Sequence, residues 1–69
     1  MTINEVVAFI RAERRRRRLT QTDMSVLTGL PRYFISDIEH KHFKRGPSFD
    51  TCERLLNALG YSLTITQID

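Results

Sequence analysis

One cysteine, Cys52, stands in the whole chain of 69 residues. It cannot close an internal disulfide, so nothing argues for an oxidising compartment, and it reads as a small apolar core residue. Long apolar runs are also missing: no stretch approaches the ~20 residues a membrane-crossing helix needs. The N-terminal MTINEVVAFIRAE carries Glu5 beside a short apolar patch and lacks a leading basic region, unlike a secretory signal. A cytoplasmic location is the expectation, with no membrane contact. No low-complexity linker or internal repeat is present. Three scattered glycines build no phosphate-cradling loop, and no glycine elbow surrounds a serine. His40-x-His42 together with Cys52 has neither the spacing nor the fourth ligand of a structural zinc site. An enzyme, a metalloprotein and a cofactor carrier are thereby set aside. So is an RNA-binding sheet, for want of an aromatic platform.

What the chain does have is basic charge. Eleven Lys and Arg face eight Asp and Glu, for a net charge of +3. The excess is concentrated: Arg11 and the run Arg14 to Arg18 place six arginines in eight positions, and Lys41, Lys44 and Arg45 form a second cluster. Such local basicity suits a polyanion, whether nucleic acid or an acidic protein. The length allows one domain with a small core, near the margin of independent stability, so help from a partner chain is expected.

Helical signals cover most of the chain. Thr2 and Glu5 fit a capping box, and Ile3, Val6, Val7, Ile10 and Arg14 then repeat at helical spacing, which predicts a helix from about Ile3 to Arg17. Thr20 caps a short second helix with Asp23 near its positive end; Met24 and either Leu27 or Thr28 turn inward, and Gly29 ends it. Leu30 anchors the turn, and Pro31 opens a third helix running from about Arg32 to His40. Ile35 and Ile38 are its buried residues, with Phe34 half-buried. After a basic loop, in which Phe43 folds back onto the core, Ser48 caps a fourth helix with Cys52, Leu55, Leu56 and Leu59 inward and Gly60 at its end.

The last residues change period. Tyr61, Leu63 and Ile65 alternate with Ser62, Thr64 and Thr66, as a β-strand does. A lone strand leaves its backbone groups unpaired, so pairing with the same strand of a second copy across a two-fold axis is expected. The fold class is then all-α: four helices in residues 1–60, followed by a short dimerisation strand in residues 61–69.

Two short helices joined by a glycine turn, with apolar anchors on both sides, form a helix-turn-helix unit. The combination Leu19-Thr20-Gln21, Gly29-Leu30 and Ile35-Ser36-Asp37-Ile38-Glu39, followed by Pro47-Ser48 and Ala58-Leu59-Gly60, resembles the phage Cro and lambda-repressor family, also called XRE-type regulators. The resemblance runs from about Ile3 to Gly60. It implies sequence-specific binding to a palindromic double-stranded operator by a homodimeric transcriptional repressor, with Leu19 to Glu39 as the reading segment. It implies that Gln21 bonds the DNA backbone and braces the recognition helix, and that Arg14 pairs with Glu39. Arg32, Tyr33, Ser36 and Asp37 are then placed at base edges. Gln21 and Thr22, with His40, Lys41, Lys44 and Arg45 from the basic segment, are placed at phosphates.

Three departures stand out. Thr28 occupies a position where the family often has leucine or isoleucine, and Phe34 one where it usually has threonine or serine. The family's fifth helix is replaced by the alternating tail. That tail is similar to those of HipB-type antitoxins, which bind their own operator and also a kinase-like HipA-type toxin; the toxin partner is an implication of fold analogy. The competing class is a protein-interaction module for which DNA is secondary.

Overall fold

A hydroxyl or a proline precedes each helix of the computed structural model, which describes residues 2–40, 46–64 and 67–68. Four helices lie among these residues: α1 (Ile3–Arg16), α2 (Gln21–Thr28), α3 (Arg32–Glu39) and α4 (Phe49–Ala58). At α1 the Thr2 hydroxyl accepts from the Glu5 amide at 3.1 Å while Glu5 accepts from the Thr2 amide at 3.0 Å. Thr20 and Asp23 repeat the exchange at α2, at 3.0 and 2.8 Å. Each exchange satisfies two amides that a helix start otherwise leaves unpaired. Ser48 caps α4 by accepting from the Thr51 amide at 3.2 Å. The third helix has no side-chain cap; Pro31, at φ −61° and ψ 145°, lies just outside it in extended backbone, one residue earlier than the helix-opening role expected of it.

The core is built from one apolar stripe per helix. Val7 and Ile10 come from α1, Met24 from α2, Ile35 and Ile38 from α3, and Leu55 and Leu56 from α4, with Leu59 just beyond. Cys52 is buried beside them as a free thiol. Phe34, Leu30, Leu19, Val6 and Leu63 pack partly buried around this centre. Between Leu27 and Thr28, the open alternative on α2, the structure turns Thr28 inward and leaves Leu27 55% exposed. Ile3 departs from the expected stripe: at the first helical position it is exposed, and its side chain lies over Gly46, where an added Cβ would meet it at 3.1 Å. Residues 61–64 and 67–68 carry no strand in the single chain. The expected inward fold of Phe43 lies outside the described residues, as does Ile65 of the expected strand.

The link between α2 and α3 depends on Gly29, at φ 76° and ψ 8°, whose amide donates to the Ser25 carbonyl at 2.9 Å. An added Cβ there would meet nothing within 4 Å, so the constraint is the left-handed backbone alone. Gly29→Ala is accordingly expected to cost about 1–2 kcal/mol in urea unfolding, with Gly29→Asn losing less. Identical midpoints for Gly29→Ala and the parent would show that the turn relaxes out of this conformation.

Candidate nucleic-acid interface

At 100° per residue, Arg32, Tyr33, Ser36, Asp37 and His40 span an arc of about 140° on α3, directed away from the arc that holds Ile35, Ile38 and Glu39. Burial follows this division: Ile35, Ile38 and Glu39 are 2%, 2% and 4% exposed, while Tyr33 is 70% exposed. Arg32 and His40 are exposed, and Ser36 and Asp37 are half-buried. At the C-terminal end of this face His40 Nδ1 donates to the Ser36 carbonyl at 2.7 Å, folding the ring back along the helix. At the neighbouring start of α2, Gln21 is half-buried and Thr22 exposed. The structure therefore places Arg32, Tyr33, Ser36, Asp37 and His40 along one face of α3, and ties Gln21, next to exposed Thr22 in the first turn of α2, to the end of α3 through Glu39. Lys41, Lys44 and Arg45 lie outside the described residues.

Behind this face lies a buried polar knot. The Arg14 guanidinium donates from Nε to Glu39 Oε2 at 2.7 Å and from Nη2 to Glu39 Oε1 at 2.8 Å, a two-pronged match that suits the planar fork of arginine. Its Nη1 donates to the Leu19 carbonyl at 2.7 Å. Gln21 Nε2 donates to Glu39 Oε1 at 3.3 Å. One carboxylate thus ties the end of α3 to α1 and to the start of α2, and Arg14 also holds the backbone just before α2. Burial pushes the Glu39 carboxyl up, but the hydrogen bonds from Arg14 and Gln21 and the charges of Arg14 and Arg11 together hold it below the ordinary carboxylate value. The hydrogen bond that Arg14 donates to Glu39 likewise raises Arg14, against its burial. The knot is therefore an ion pair at neutral pH.

The remaining arginines of the run divide. Arg16 forms two hydrogen bonds of 2.9 Å to Glu13, and Arg17 reaches the same carboxylate at 3.4 Å. Arg16 leads in holding Glu13 down to about 2, helped by Tyr61 and opposed by partial desolvation. Arg15 and Arg18 make no ion pair among the described residues. Arg18 sits at φ 57°, a left-handed residue that turns the chain from α1 towards α2.

Tyr61 is held within its own chain. Its hydroxyl donates to Glu13 Oε2 at 3.2 Å, its ring meets Phe9 edge-on with centroids 5.1 Å apart, and Arg17 lies 5.7 Å from its centroid. Leu63 packs partly buried against the core. Among the described residues, Ser62, Leu63 and Thr64 make no backbone hydrogen bond. Sequence reasoning missed the contact of Tyr61 with α1 and the hydroxyls of Ser25 and Thr28 that hold the turn. The only hint of the latter was the polar residue at an inward position, Thr28.

A family model described as helix-turn-helix matches residues 10–65, most of the chain. No curated protein and no solved structure matches it. No helix among the described residues is long and apolar enough to cross a membrane.

Proposed function

Because the chain belongs to the helix-turn-helix family and is a DNA-binding transcription regulator, we propose that it recognises one specific double-stranded operator and represses transcription from it. The observation that carries this reading is the exposed polar face of α3, held from behind by the Arg14–Glu39–Gln21 knot. A helix that reads bases needs side chains free to enter the major groove and a mounting that fixes their angle. In this reading Arg32 donates two hydrogen bonds to a guanine edge, Tyr33 meets a thymine methyl or a phosphate, and Asp37 accepts from cytosine. Ser36 lies against the same bases. Gln21 spends one amide N–H on Glu39 and has a second for a phosphate. Thr22 and the first amides of α2 add to that contact, with His40, Lys41, Lys44 and Arg45 on the flanking backbone.

The active unit in this reading is a homodimer. The unpaired backbone of Ser62, Leu63 and Thr64 supports it, since an open edge of this kind is a template for a second strand. Two copies related by a two-fold axis would read a palindrome with half-sites about 10 bp apart or a multiple of it. The tail, standing where the resembled family has its fifth helix, supports one further step: an antitoxin-type autoregulator that also binds a kinase-like toxin of the HipA type. Recovery of a stoichiometric kinase-like partner from the native host supports that step, and recovery of the protein alone counts against it.

Binding-site selection with the purified protein tests the DNA reading and returns the operator with its symmetry. Arg32→Ala is expected to lose about 1–3 kcal/mol of discrimination at a single base position, flattening the ranking of operator variants. Lys44→Ala is expected to weaken all sequences alike and to reduce the salt slope by about one. An unchanged ranking with Arg32→Ala would remove Arg32 from the base-reading set.

A further inference from the structure

The least protected point of the reading segment is the start of α3, which has no side-chain cap of its own. What holds it comes from the preceding helix. The Leu30 amide donates to Thr28 Oγ1 at 3.2 Å, and the Leu30 carbonyl accepts from Ser25 Oγ at 2.6 Å. Thr28 Oγ1 in turn donates to the Met24 carbonyl at 2.6 Å, so its rotamer is fixed and its lone pair is aimed at Leu30. Ser25 and Thr28 are three residues apart and share one face of α2. Together they hold the peptide planes on both sides of Leu30, immediately before Pro31. The Pro31 carbonyl then accepts from the Phe34 and Ile35 amides at 3.1 and 3.2 Å, the first bonds of α3.

We propose that Ser25 and Thr28 are positioning residues for DNA recognition: their hydroxyls clamp Leu30 and thereby set the direction in which Arg32 and Tyr33 leave the turn. This inference rests on the DNA-binding reading and adds to it the device that aims the base-facing side chains. Leu30 also packs against the core, but a side chain packed by volume alone leaves its peptide planes able to rotate; two directional bonds do not. At an inward position a leucine or isoleucine would supply that volume. Here the site is occupied by a threonine whose hydroxyl makes both of its bonds inside the fold, with the residue only 8% exposed. Neither hydroxyl contacts DNA in this account; each acts through the backbone of Leu30.

The test compares Ser25→Ala, Thr28→Val and Thr28→Ser with the parent by residue-resolved amide exchange and by binding to the selected operator and to a non-cognate duplex. Loss of one hydrogen bond sets the scale at roughly three- to tenfold. Thr28→Val keeps the volume and is expected to speed exchange by that factor at Leu30, Phe34 and Ile35 while leaving α4 unchanged. The ratio of operator to non-cognate binding should fall by a similar factor with the salt slope unaltered. Ser25→Ala should do the same through the other bond, and Thr28→Ser, which keeps the hydroxyl, should restore both readouts. Exchange that rises equally in all helices, or a Thr28→Val variant with the parental binding ratio, would overturn the clamp. Should the parent bind no DNA, the DNA-binding reading fails with it, and the positioning role falls too. Amide exchange would then report only whether the hydroxyls hold the turn, which separates the two failures.

Discussion

Arg14→Ala is expected to lower the unfolding free energy by about 3–5 kcal/mol, the cost of leaving a buried carboxylate without its partner. The side chains of Arg14 and Glu39 are 10% and 3% exposed, so little water is available to replace the guanidinium. The Leu19 carbonyl would lose its donor as well. A domain of this length has a total stability of roughly 3–10 kcal/mol, so the variant should melt tens of degrees lower or be unfolded at room temperature. Arg16→Ala removes an exposed pair and should leave the melting temperature nearly unchanged. Equal melting temperatures for the two variants would refute the buried pair as a structural element. If Arg14→Ala does not fold at all, the double variant Arg14→Met/Glu39→Leu keeps the question open to measurement. Removing both charges together should recover most of the loss, because the desolvation of two ions disappears with their attraction. Full recovery is not expected, since Leu19 still lacks its donor.

Two carboxylates, Glu39 in the knot and Glu13 outside it, give a pH dependence whose sign is fixed. Glu39 and Glu13 are both held below the ordinary value of 4.5 in the folded chain, Glu13 to about 2. A carboxylate with a depressed folded value contributes stability above its unfolded value and loses it as the pH falls through the folded one. Stability should therefore decline as the pH falls below about 4.5, the part due to Glu13 down to about 2, and in Arg14→Ala the part due to Glu39 should be gone.

Much of this arrangement follows from short-range patterns. Thr2 with Glu5, Thr20 before α2, Gly29 in the turn and Ser48 before α4 act on backbone groups within four residues, so their effect is legible without the fold. Arg14 falls four residues after Ile10 on an apolar face and therefore needed a partner; its two-pronged contact with Glu39 closes that requirement. The choice between Leu27 and Thr28 was not legible. Both lie close to the inward direction of an eight-residue helix, and hydrophobicity favours the wrong one. What decides it is the Thr28 hydroxyl, which donates to the Met24 carbonyl and accepts from the Leu30 amide, the second partner lying beyond the helix. The tail shows a different limit. Alternation of Tyr61 and Leu63 with Ser62 and Thr64 records that one side of the segment is covered, but not by what. Tyr61 against Phe9 and Leu63 against the core account for part of that pattern within a single chain. The pairing partner of the backbone is a separate question, which the palindrome test addresses.

Met24→Ala is the second large effect, about 2–5 kcal/mol, and it joins the core to the proposed reading face. Met24 is 0% exposed and is the sole apolar side chain that α2 contributes to the buried core. α2 packs against both α3 and α4, so a cavity at Met24 opens between the proposed recognition helix α3 and the rest of the core. Met24→Leu, close in volume, should cost less than about 1.5 kcal/mol and serves as the control. In urea the midpoint of Met24→Ala should fall with its slope unchanged, since the fold is weakened and not reshaped. DNA binding then reports the same loss through a different route. Only the folded fraction binds, so the apparent affinity falls in proportion to that fraction. Saturating operator should in turn raise the melting temperature of Met24→Ala by mass action, whereas a non-cognate duplex at the same concentration raises it less. A loss below about 1 kcal/mol would mean that the neighbours of Met24 close the cavity. An operator that fails to stabilise the variant would mean that the mounting of α3, and not only its population, depends on this one side chain.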